Sequence, residues 1–267
     1  MKNHHVMVTT CDRAEPLLAL LQDLARQPAD VSVDILDDAS REEPSRAREF
    51  ARAMGWEWFP MTHRLGKDGY WMAINTLVAA RRRARHFYII QDDIRLSSRF
   101  FHHAEEAWAE AERLDPYVAA IQLLKTRACT EKPKWCDTIP ERISPLLWRV
   151  GAVDLAAATY SSQALDIVGT IPPLFPKPDR GSGVGEYMSR ILRQKGYSLF
   201  QTAHSLVRHR ELLSVMHPLH RQREPIVEVD FIDDRDDTPA ALLLPPISQP
   251  YQGDIPAALL LPPAPRR

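Results

Sequence analysis

The fold of this chain is constrained most by an alternation of short apolar runs and helical patterns along residues 4–124. Residues 4–10 (HHVMVTT) are typical of a buried strand, and the leucines of residues 15–26 then recur at the spacing of an amphipathic helix. Further strands are predicted at 31–36, 56–60, 87–91 and 118–124, and further helices at 44–54, 70–85 and 99–114. Strands that alternate with helices in this way predict an α/β domain with a mostly parallel sheet.

The second half of the chain is less regular. The sequence predicts a strand within 147–160, a short helix at 161–168, a helix at 186–195 that Gly196 ends, and a strand at 197–200. A last strand-like segment, SLVRH, follows at 205–209.

Proline marks where this body gives way to another kind of segment. Eight of the 22 prolines lie in the last 31 residues, which contain a near-repeat of DTPAALLLPP (237–246) and DIPAALLLPP (254–263). Two copies are too few for a solenoid, and the bracketing prolines disfavour a long helix or a central strand. We expect extended segments that dock on the body or on a second subunit of a homo-oligomer; the alternative is a flexible tail that binds a partner.

Charge and cysteine content exclude several classes of protein. Lys and Arg number 34 against 35 Asp and Glu, so a general polyanion-binding surface is not expected. The three cysteines lack CxxC spacing, which indicates neither a disulfide framework nor a zinc ribbon and fits a reducing compartment. Without a membrane-length apolar run or a signal-peptide pattern, the expected location is cytoplasmic, and peripheral attachment at a membrane stays open.

Polar clusters follow three of the predicted strands, at residues 9–13, 37–40 and 91–93. Open α/β sheets bind ligands at the carboxyl ends of their strands. Two adjacent carboxylates, Asp92 and Asp93, repel each other there unless a cation or an arginine neutralises them. Taken alone, the pair fits a divalent cation site and the ordinary turn chemistry of aspartate equally well.

The order of these clusters is more specific than any one of them. The segments concerned are VTTCDR (8–13), VDILDDAS (33–40), LGKDGYWMAIN (65–75), FYIIQDD (87–93), GVGEYMSRILRQKGY (183–197) and SLVRH (205–209). Their order and intervals resemble the GT-A glycosyltransferases, particularly the family-2-like inverting group, over residues 4–216. The resemblance implies a Rossmann-like GT-A sheet flanked by helices, with a nucleotide-sugar half (1–125), an acceptor-side half (126–216) and a C-terminal extension (217–267).

The resemblance also implies roles for single residues. The nucleotide pocket would be lined by Thr9, Thr10, Arg13, Asp37, Asp38, Gly66, Lys67 and Asp92. Asp37 or Asp38 would hold the base or the ribose, and Asp92 would lie nearer the sugar. Asp93, the last position of the metal motif, would bind Mn²⁺ or Mg²⁺, with His209 as a second ligand. Glu186 would be the general base.

Two positions depart from the family pattern. Gln91 stands where the metal motif begins with an acid, and Gly185 precedes Glu186 where an acidic pair is expected. The first departure weakens the metal prediction, and the second weakens the assignment of the base, for which Asp179 is the nearest substitute. These departures keep open a degenerate GT-A domain that binds a partner or a nucleotide without catalysis.

The implied reaction is a metal-dependent transfer of a sugar from a nucleotide-sugar donor, UDP-sugars being the commonest, to an acceptor hydroxyl with inversion. A sugar-phosphate nucleotidyltransferase is the second enzyme class, but the loop TTCDR (9–13) lacks the glycine-rich basic signature that it requires. The acceptor is not legible, and a glycan, a lipid-linked glycan, a protein and a modified nucleic-acid base all remain open.

Other motifs favour structural interpretations. GSGVG (181–185) lacks the Lys-Ser/Thr of a P-loop and is predicted to be a loop before a helix. RRRARH (81–86) is predicted to lie at a helix C-terminus, where cations suit the helix dipole. The histidines and glutamates at 102–106 are typical of a solvated helix face. Trp135, Trp148 and Tyr160 are expected to belong to the core rather than to stack on a sugar.

Overall fold

The structure, a computed structural model, describes residues 2–41, 44–66, 70–80, 84–125, 139–172, 183–210 and 231–232. The strands are β1 (Lys2–Thr10), β2 (Val31–Asp37), β3 (Glu57–Pro60), β4 (Ala84–Gln91), β5 (Ile94–Leu96), β6 (Val118–Gln122), β7 (Glu141–Arg142), β8 (Leu147–Val150), β9 (Ala157–Ser161), β10 (Ser198–Thr202) and β11 (Val207–His209). The helices are α1 (Ala14–Ala25), α2 (Ser45–Ala53), α3 (Tyr70–Ala80), α4 (Phe100–Leu114), α5 (Ser162–Val168) and α6 (Val184–Gln194).

Within this part of the chain, a 9-stranded sheet has the order β3-β2-β1-β4-β9-β6-β10-β8-β7. The strands β3, β2, β1 and β4 run parallel to one another, and β6 runs parallel to β10. β9 runs antiparallel between β4 and β6, and β8 runs antiparallel to β10 and β7. The predicted α/β architecture with a mostly parallel sheet is therefore confirmed.

Both faces of the sheet are covered by helices. Val6 and Val8 on β1 contribute to one buried cluster and Met7 to another, because successive side chains of a strand point to opposite faces. The first cluster takes in side chains of α1, α2 and α4, and the second takes in side chains of α3, α5 and α6. Tyr160 lies in the second cluster and is only 1% exposed, so it belongs to the core as expected.

One predicted helix is wrong at its end. The sequence predicts a helix over 70–85, whereas Ala84 and Arg85 begin the strand β4. The burial of Ala84 and His86 alternates with the exposure of Arg85, which is the period of a strand and outweighs the helical preference of the basic run. The placement of residues 84–86 of RRRARH at a helix C-terminus is wrong for the same reason, and residues 81–83 lie outside the described chain.

Smaller differences concern short elements. The region 147–160 contains two strands, β8 and β9, rather than one, and α6 begins at Val184 rather than at residue 186. The sequence did not predict β5, whose three residues pair with β11 in a separate antiparallel sheet. His102, Glu105 and Glu106 are about half exposed, in agreement with a solvated face of α4, whereas His103 is mostly buried.

Several predictions fall outside the described residues, among them those for the tail, Trp135 and Asp179. The domain division at residues 125 and 216 stays a prediction. Beyond residue 216, Phe231 bridges Ser205, and Ile232 donates its amide to the Ser205 carbonyl at 3.1 Å. None of the described helices has both the length and the apolar character needed to cross a membrane.

Candidate active site

Three of the predicted polar clusters meet at one edge of the sheet. Thr10, Asp37 and Gln91 end β1, β2 and β4, and these parallel strands are adjacent, with β1 in the middle. The Asp38 amide donates to the Thr10 carbonyl at 2.9 Å, and the Asp92 amide donates to the Thr9 carbonyl at 3.1 Å. These backbone bonds bring the side chains after β2 and β4 to the end of β1.

Asp92 is 4% exposed and both of its oxygens have partners. Oδ2 accepts hydrogen bonds from the Thr10 hydroxyl at 2.8 Å and the Cys11 amide at 3.3 Å, and Oδ1 accepts one from Arg13 Nη1 at 3.1 Å. Burial, with a smaller contribution from the charge of Asp93, raises the pKa of Asp92 to about 6 despite these partners. Three donors thus hold the side chain in place, and its carboxyl group stays protonated up to a higher pH than that of an ordinary aspartate.

Asp93 differs from Asp92 in having one oxygen unoccupied. Its Oδ2 accepts a short hydrogen bond from Arg13 Nη1, while its buried Oδ1 has no hydrogen bond within the described residues. Oδ1 lies 3.6 Å from Nδ1 of His209, which is too long for a hydrogen bond. Burial alone would raise the pKa of Asp93, but the contact with His209 and the charge of Arg13 together lower it below its usual value. Asp93 is therefore a carboxylate with an oxygen available to a cation.

The small sheet formed by β5 and β11 brings His209 to this place. Its register sets His209 opposite Ile94, the residue after Asp93, and the Arg210 amide donates to the Asp93 carbonyl at 2.7 Å. The structure thus brings together Asp93 and His209, the two residues expected to bind a metal ion.

Arg13 lies between the two carboxylates. It is the residue before α1, its side chain is 11% exposed, and one guanidinium nitrogen donates to both Asp92 and Asp93. Two buried carboxylates in contact with each other are costly without such a cation. Arg13 therefore offsets the charge of the pair.

The carboxylates of Asp37 and Asp38 hold loops together. Oδ1 of Asp37 accepts from the Ser40 amide at 3.1 Å and the Ser40 hydroxyl at 2.6 Å. Asp38 accepts from the amides of Leu65 and Gly66 at 2.7 and 2.6 Å through its two oxygens. Asp38 thus fixes Gly66, whose φ of +60° suits glycine, at this edge of the sheet. Lys67 lies outside the described residues.

Sequence reasoning missed Asp12 and Arg64, which join the same loops. Asp12 has a φ of +54°, accepts from the Arg41 amide at 2.7 Å and receives a short hydrogen bond from Arg64. Its own amide donates to the Ser40 hydroxyl at 2.9 Å. Aspartate tolerates the left-handed region better than most residues, and that was the available signal at Asp12. No sequence signal indicated Arg64, apart from its position next to Leu65.

Thr9 contacts Tyr70, the first residue of α3, on the other face of β1. The Tyr70 hydroxyl is hydrogen-bonded to the Thr9 side chain, and burial raises the pKa of Tyr70. The negative charges of Asp92, Asp93 and Asp154 act in the same direction. Asp154 is an exposed carboxylate that sequence reasoning also missed, and it lies within electrostatic reach of the same hydroxyl.

Glu186 is exposed in the first turn of α6. A Cβ on the neighbouring Gly185 would come within 2.7 Å of the Val153 carbonyl, so the start of α6 lies directly on the segment 151–156. That segment borders the carboxyl end of β4, because the Gln91 amide donates to the Ala156 carbonyl at 3.1 Å. Glu186 therefore lies in the first turn of a helix that is anchored beside the edge where Asp92 and Asp93 lie.

Solved structures of similar fold include a mannosyltransferase from Pyrobaculum calidifontis in complex with GDP-Man and Mn²⁺. It aligns with a TM-score of 0.50 at 21% identity, over 74% of this chain and 54% of its own. Residues 1–349 of S. aureus TarS align with a TM-score of 0.53 at 12% identity, over 78% of this chain and 60% of that one. The same TarS fragment in complex with UDP aligns with a TM-score of 0.51 at 13% identity, over 77% and 59%.

These likenesses show the fold. The chain has the GT-A-like fold, as the ordered motifs indicated, and it spans little more than half the length of these proteins. No protein-family model matches the sequence, and no curated protein matches it significantly.

Proposed function

We propose that this protein transfers a sugar from a nucleotide-sugar donor to an acceptor hydroxyl, with inversion, at the carboxyl edge of β1, β2 and β4. The observation that carries the proposal is the buried group of Asp92, Asp93 and Arg13, in which one Asp93 oxygen is left without a hydrogen bond. Solved proteins of the same fold were crystallised with GDP-Man and Mn²⁺ and with UDP, which supports a nucleotide-sugar donor. UDP-sugars are the first donors to test.

A divalent cation, Mn²⁺ or Mg²⁺, fits the residues present. Asp93 Oδ1 is buried and unoccupied, and His209 lies 3.6 Å from it. The described residues hold no group of three or more His, Cys, Asp or Glu side chains suited to a metal ion, so oxygens of the donor and water would complete the coordination. Such a cation would stabilise the negative charge that develops on the departing diphosphate.

The donor would rest on the loops that follow β1, β2 and β3. Thr9, Thr10 and Arg13 would line the pocket from the end of β1, and Asp92 would face the sugar. Asp37 and Asp38 would act on the base or ribose, and their bonds to Ser40, Leu65 and Gly66 give that part of the pocket a fixed shape. Lys67, the next residue in the sequence after Gly66, is proposed to bind the nucleotide as well.

Glu186 would be the general base. Its carboxylate accepts the proton of the acceptor hydroxyl as the hydroxyl oxygen attacks the anomeric carbon. The bond from that carbon to the diphosphate oxygen breaks with both electrons on the oxygen, and Arg13 would donate hydrogen bonds to that phosphate. The exposure of Glu186 in the first turn of α6 leaves room for an acceptor beside it.

The first experiment measures release of nucleoside diphosphate from a panel of UDP- and GDP-sugars with and without Mn²⁺. We expect Mn²⁺-dependent release with at least one donor and its loss in Asp93→Ala. Glu186→Gln should abolish transfer and retain donor binding, whereas Glu49→Gln, an exposed helical glutamate on α2, should leave both unchanged. Normal turnover of Glu186→Gln would overturn the assignment of the base.

A non-catalytic nucleotide-binding domain is the second candidate. Gln91 takes the place of a carboxylate, and Arg13 already neutralises one charge of the remaining pair. Binding of UDP or GDP without turnover of any donor in the panel would favour this alternative.

A further inference from the structure

Arg13 contacts the same two carboxylates that would attract a divalent cation. Its guanidinium donates from a single nitrogen to Oδ1 of Asp92 and to Oδ2 of Asp93. Asp92, Asp93 and Arg13 are all largely buried, with side-chain exposures of 6%, 12% and 11%. One guanidinium against two carboxylates leaves a single net negative charge in a region where water screens little.

Arg13 therefore competes with a metal ion for the oxygens of Asp92 and Asp93. Each oxygen of Asp92 has a hydrogen-bond partner, and Arg13 occupies one oxygen of Asp93. A divalent ion at the remaining Asp93 oxygen would lie close to the positive charge of Arg13 and would be repelled by it. A bare cation therefore meets a pair of carboxylates of which one charge is already neutralised.

A nucleoside diphosphate removes this conflict. Its phosphate oxygens bring negative charge, and they match the planar fork of a guanidinium better than they match most other side chains. Arg13 can then exchange its two carboxylate bonds for phosphate bonds, which frees Asp93 for the cation. The cation and the diphosphate should therefore favour each other's binding.

We propose that Arg13 is a resident counter-ion that keeps the Asp92–Asp93 pair from binding a divalent cation until a nucleoside diphosphate arrives. This inference rests on the proposed function and adds to it an order of assembly: the donor recruits its cation, and Arg13 couples the two. Reciprocity of coupling requires the cation to tighten diphosphate binding by the same factor.

The test titrates the full chain with Mn²⁺ and follows the electron paramagnetic resonance signal of free Mn²⁺, alone and with UDP or GDP. Arg13→Gln should bind Mn²⁺ alone about tenfold more tightly than the wild type, because it removes a competing charge and frees an Asp93 oxygen. The gain in Mn²⁺ affinity that UDP or GDP brings should fall at least fivefold in the variant. Arg46→Gln, which removes a guanidinium from an exposed ion pair with Glu15, should change neither value more than about twofold.

A second pair of variants guards against misfolding. If Arg13→Gln alone does not fold, Asp92→Asn and Asp92→Asn/Arg13→Gln remove one carboxylate and then its counter-ion, and the double variant should bind Mn²⁺ alone more tightly than the single one. Equal or weaker Mn²⁺ binding after loss of Arg13, in either background, would overturn the inference and leave the proposed transfer untouched. If the wild type binds neither Mn²⁺ with UDP or GDP nor any donor, the proposed function itself fails.

Discussion

The two ends of β1 and β4 bury polar side chains in different ways. At the amino end, both ring nitrogens of His4 have partners, Tyr88 at 3.1 Å and Glu105 at 3.1 Å. His5 is equally satisfied, by Ser32 at 2.7 Å and Asp34 at 3.0 Å. At the carboxyl end, the buried Oδ1 of Asp93 has no hydrogen bond among the described residues.

The difference separates a structural role from a functional one. A buried polar group with all its partners stabilises one packing arrangement, whereas an unsatisfied one costs free energy unless something else binds it. His4 and His5 therefore need no ligand. At the carboxyl end, the leftover oxygen and the adjacent like charges are what a cation and a diphosphate would complete.

The largest expected effect comes from changing one carboxylate to an amide at each end. Asp93→Asn should lower transfer by about 10²–10³-fold, because it removes charge from the point where the leaving group must be stabilised. Thermal stability should fall slightly, because His209 and Arg13 hold the pKa of Asp93 below its usual value and the folded chain therefore favours the charged carboxylate over a neutral amide. Turnover and thermal unfolding measured on the same preparation check both parts.

Asp34→Asn is the matched control, because Asp34 is also a buried carboxylate beside a histidine, in this case hydrogen-bonded to it. It should cost about 1–3 kcal/mol of unfolding free energy while leaving turnover of the folded fraction intact. Equal losses of activity in Asp93→Asn and Asp34→Asn would contradict the distinction between the two ends.

Much of this fold was predictable because the sequence carries it locally. The continuous apolar run before Asp92 is typical of a buried strand, and the leucines of α1 recur with the period of a helix. The polar clusters follow three adjacent strands. The meeting of these clusters then follows from the rule that parallel strands share one carboxyl edge. The end of α3 was misjudged because a basic run suits a helix terminus and an exposed strand end alike.

The site was less predictable because its contacts join distant parts of the chain. His209 reaches Asp93 only through the pairing of β5 with β11, and a three-residue strand leaves little periodic signal. The bridge from Arg13 to both carboxylates is likewise a tertiary contact. Residue types indicated which side chains belong at this edge, but not which of them would satisfy one another.

The start of α6 allows a second perturbation of the carboxyl end. Gly185→Ala should cost about 1–3 kcal/mol of stability, because the new Cβ would come within 2.7 Å of the Val153 carbonyl and the backbone would have to move. The shift should carry Glu186 with it and lower kcat more than donor affinity. Chemical denaturation and steady-state kinetics measure the two effects.

Gly196→Ala provides the comparison at the other end of α6. A Cβ there meets nothing within 4 Å, but the φ of +81° is strained for alanine, so the cost should be about 1 kcal/mol with no change in kcat. A change in kcat as large as that of Gly185→Ala would refute the link between the start of α6 and the site.

The amino end of the sheet should instead affect how the stability of the protein depends on pH, through His86. Burial, helped by the charges of Arg85 and His4, lowers the pKa of His86 from 6.5 to about 3. Below pH 6.5 the unfolded chain therefore binds a proton that the folded chain does not, so stability falls as pH falls toward 3. Between pH 7 and pH 5 this histidine should cost about 2 kcal/mol of unfolding free energy.

Denaturant unfolding at several pH values tests this. His86→Phe, which can still stack on Trp108, should flatten the pH dependence by about that amount, whereas the half-exposed His102→Gln should leave it unchanged. Part of the slope should persist in His86→Phe, because burial also lowers the pKa of His4 against the opposing charge of Glu105. An unchanged slope in His86→Phe would show that His86 titrates normally in the folded chain.

The smallest effect is expected from Arg85, which makes a well-aligned ion pair like that of Arg13 but is exposed to solvent rather than buried. Arg85 at the start of β4 donates to both oxygens of Glu112, at 3.1 and 2.9 Å, with side-chain exposures of 62% and 43%. Water and salt screen such a pair, so Arg85→Gln should change stability by less than about 0.5 kcal/mol, and less still at high ionic strength. Arg13→Gln leaves two buried carboxylates without their counter-ion, and its stability should recover on addition of Mn²⁺, a response that Arg85→Gln cannot give. Thermal unfolding of both variants with and without Mn²⁺ makes the comparison, and equal behaviour would mean that burial does not distinguish the two arginines.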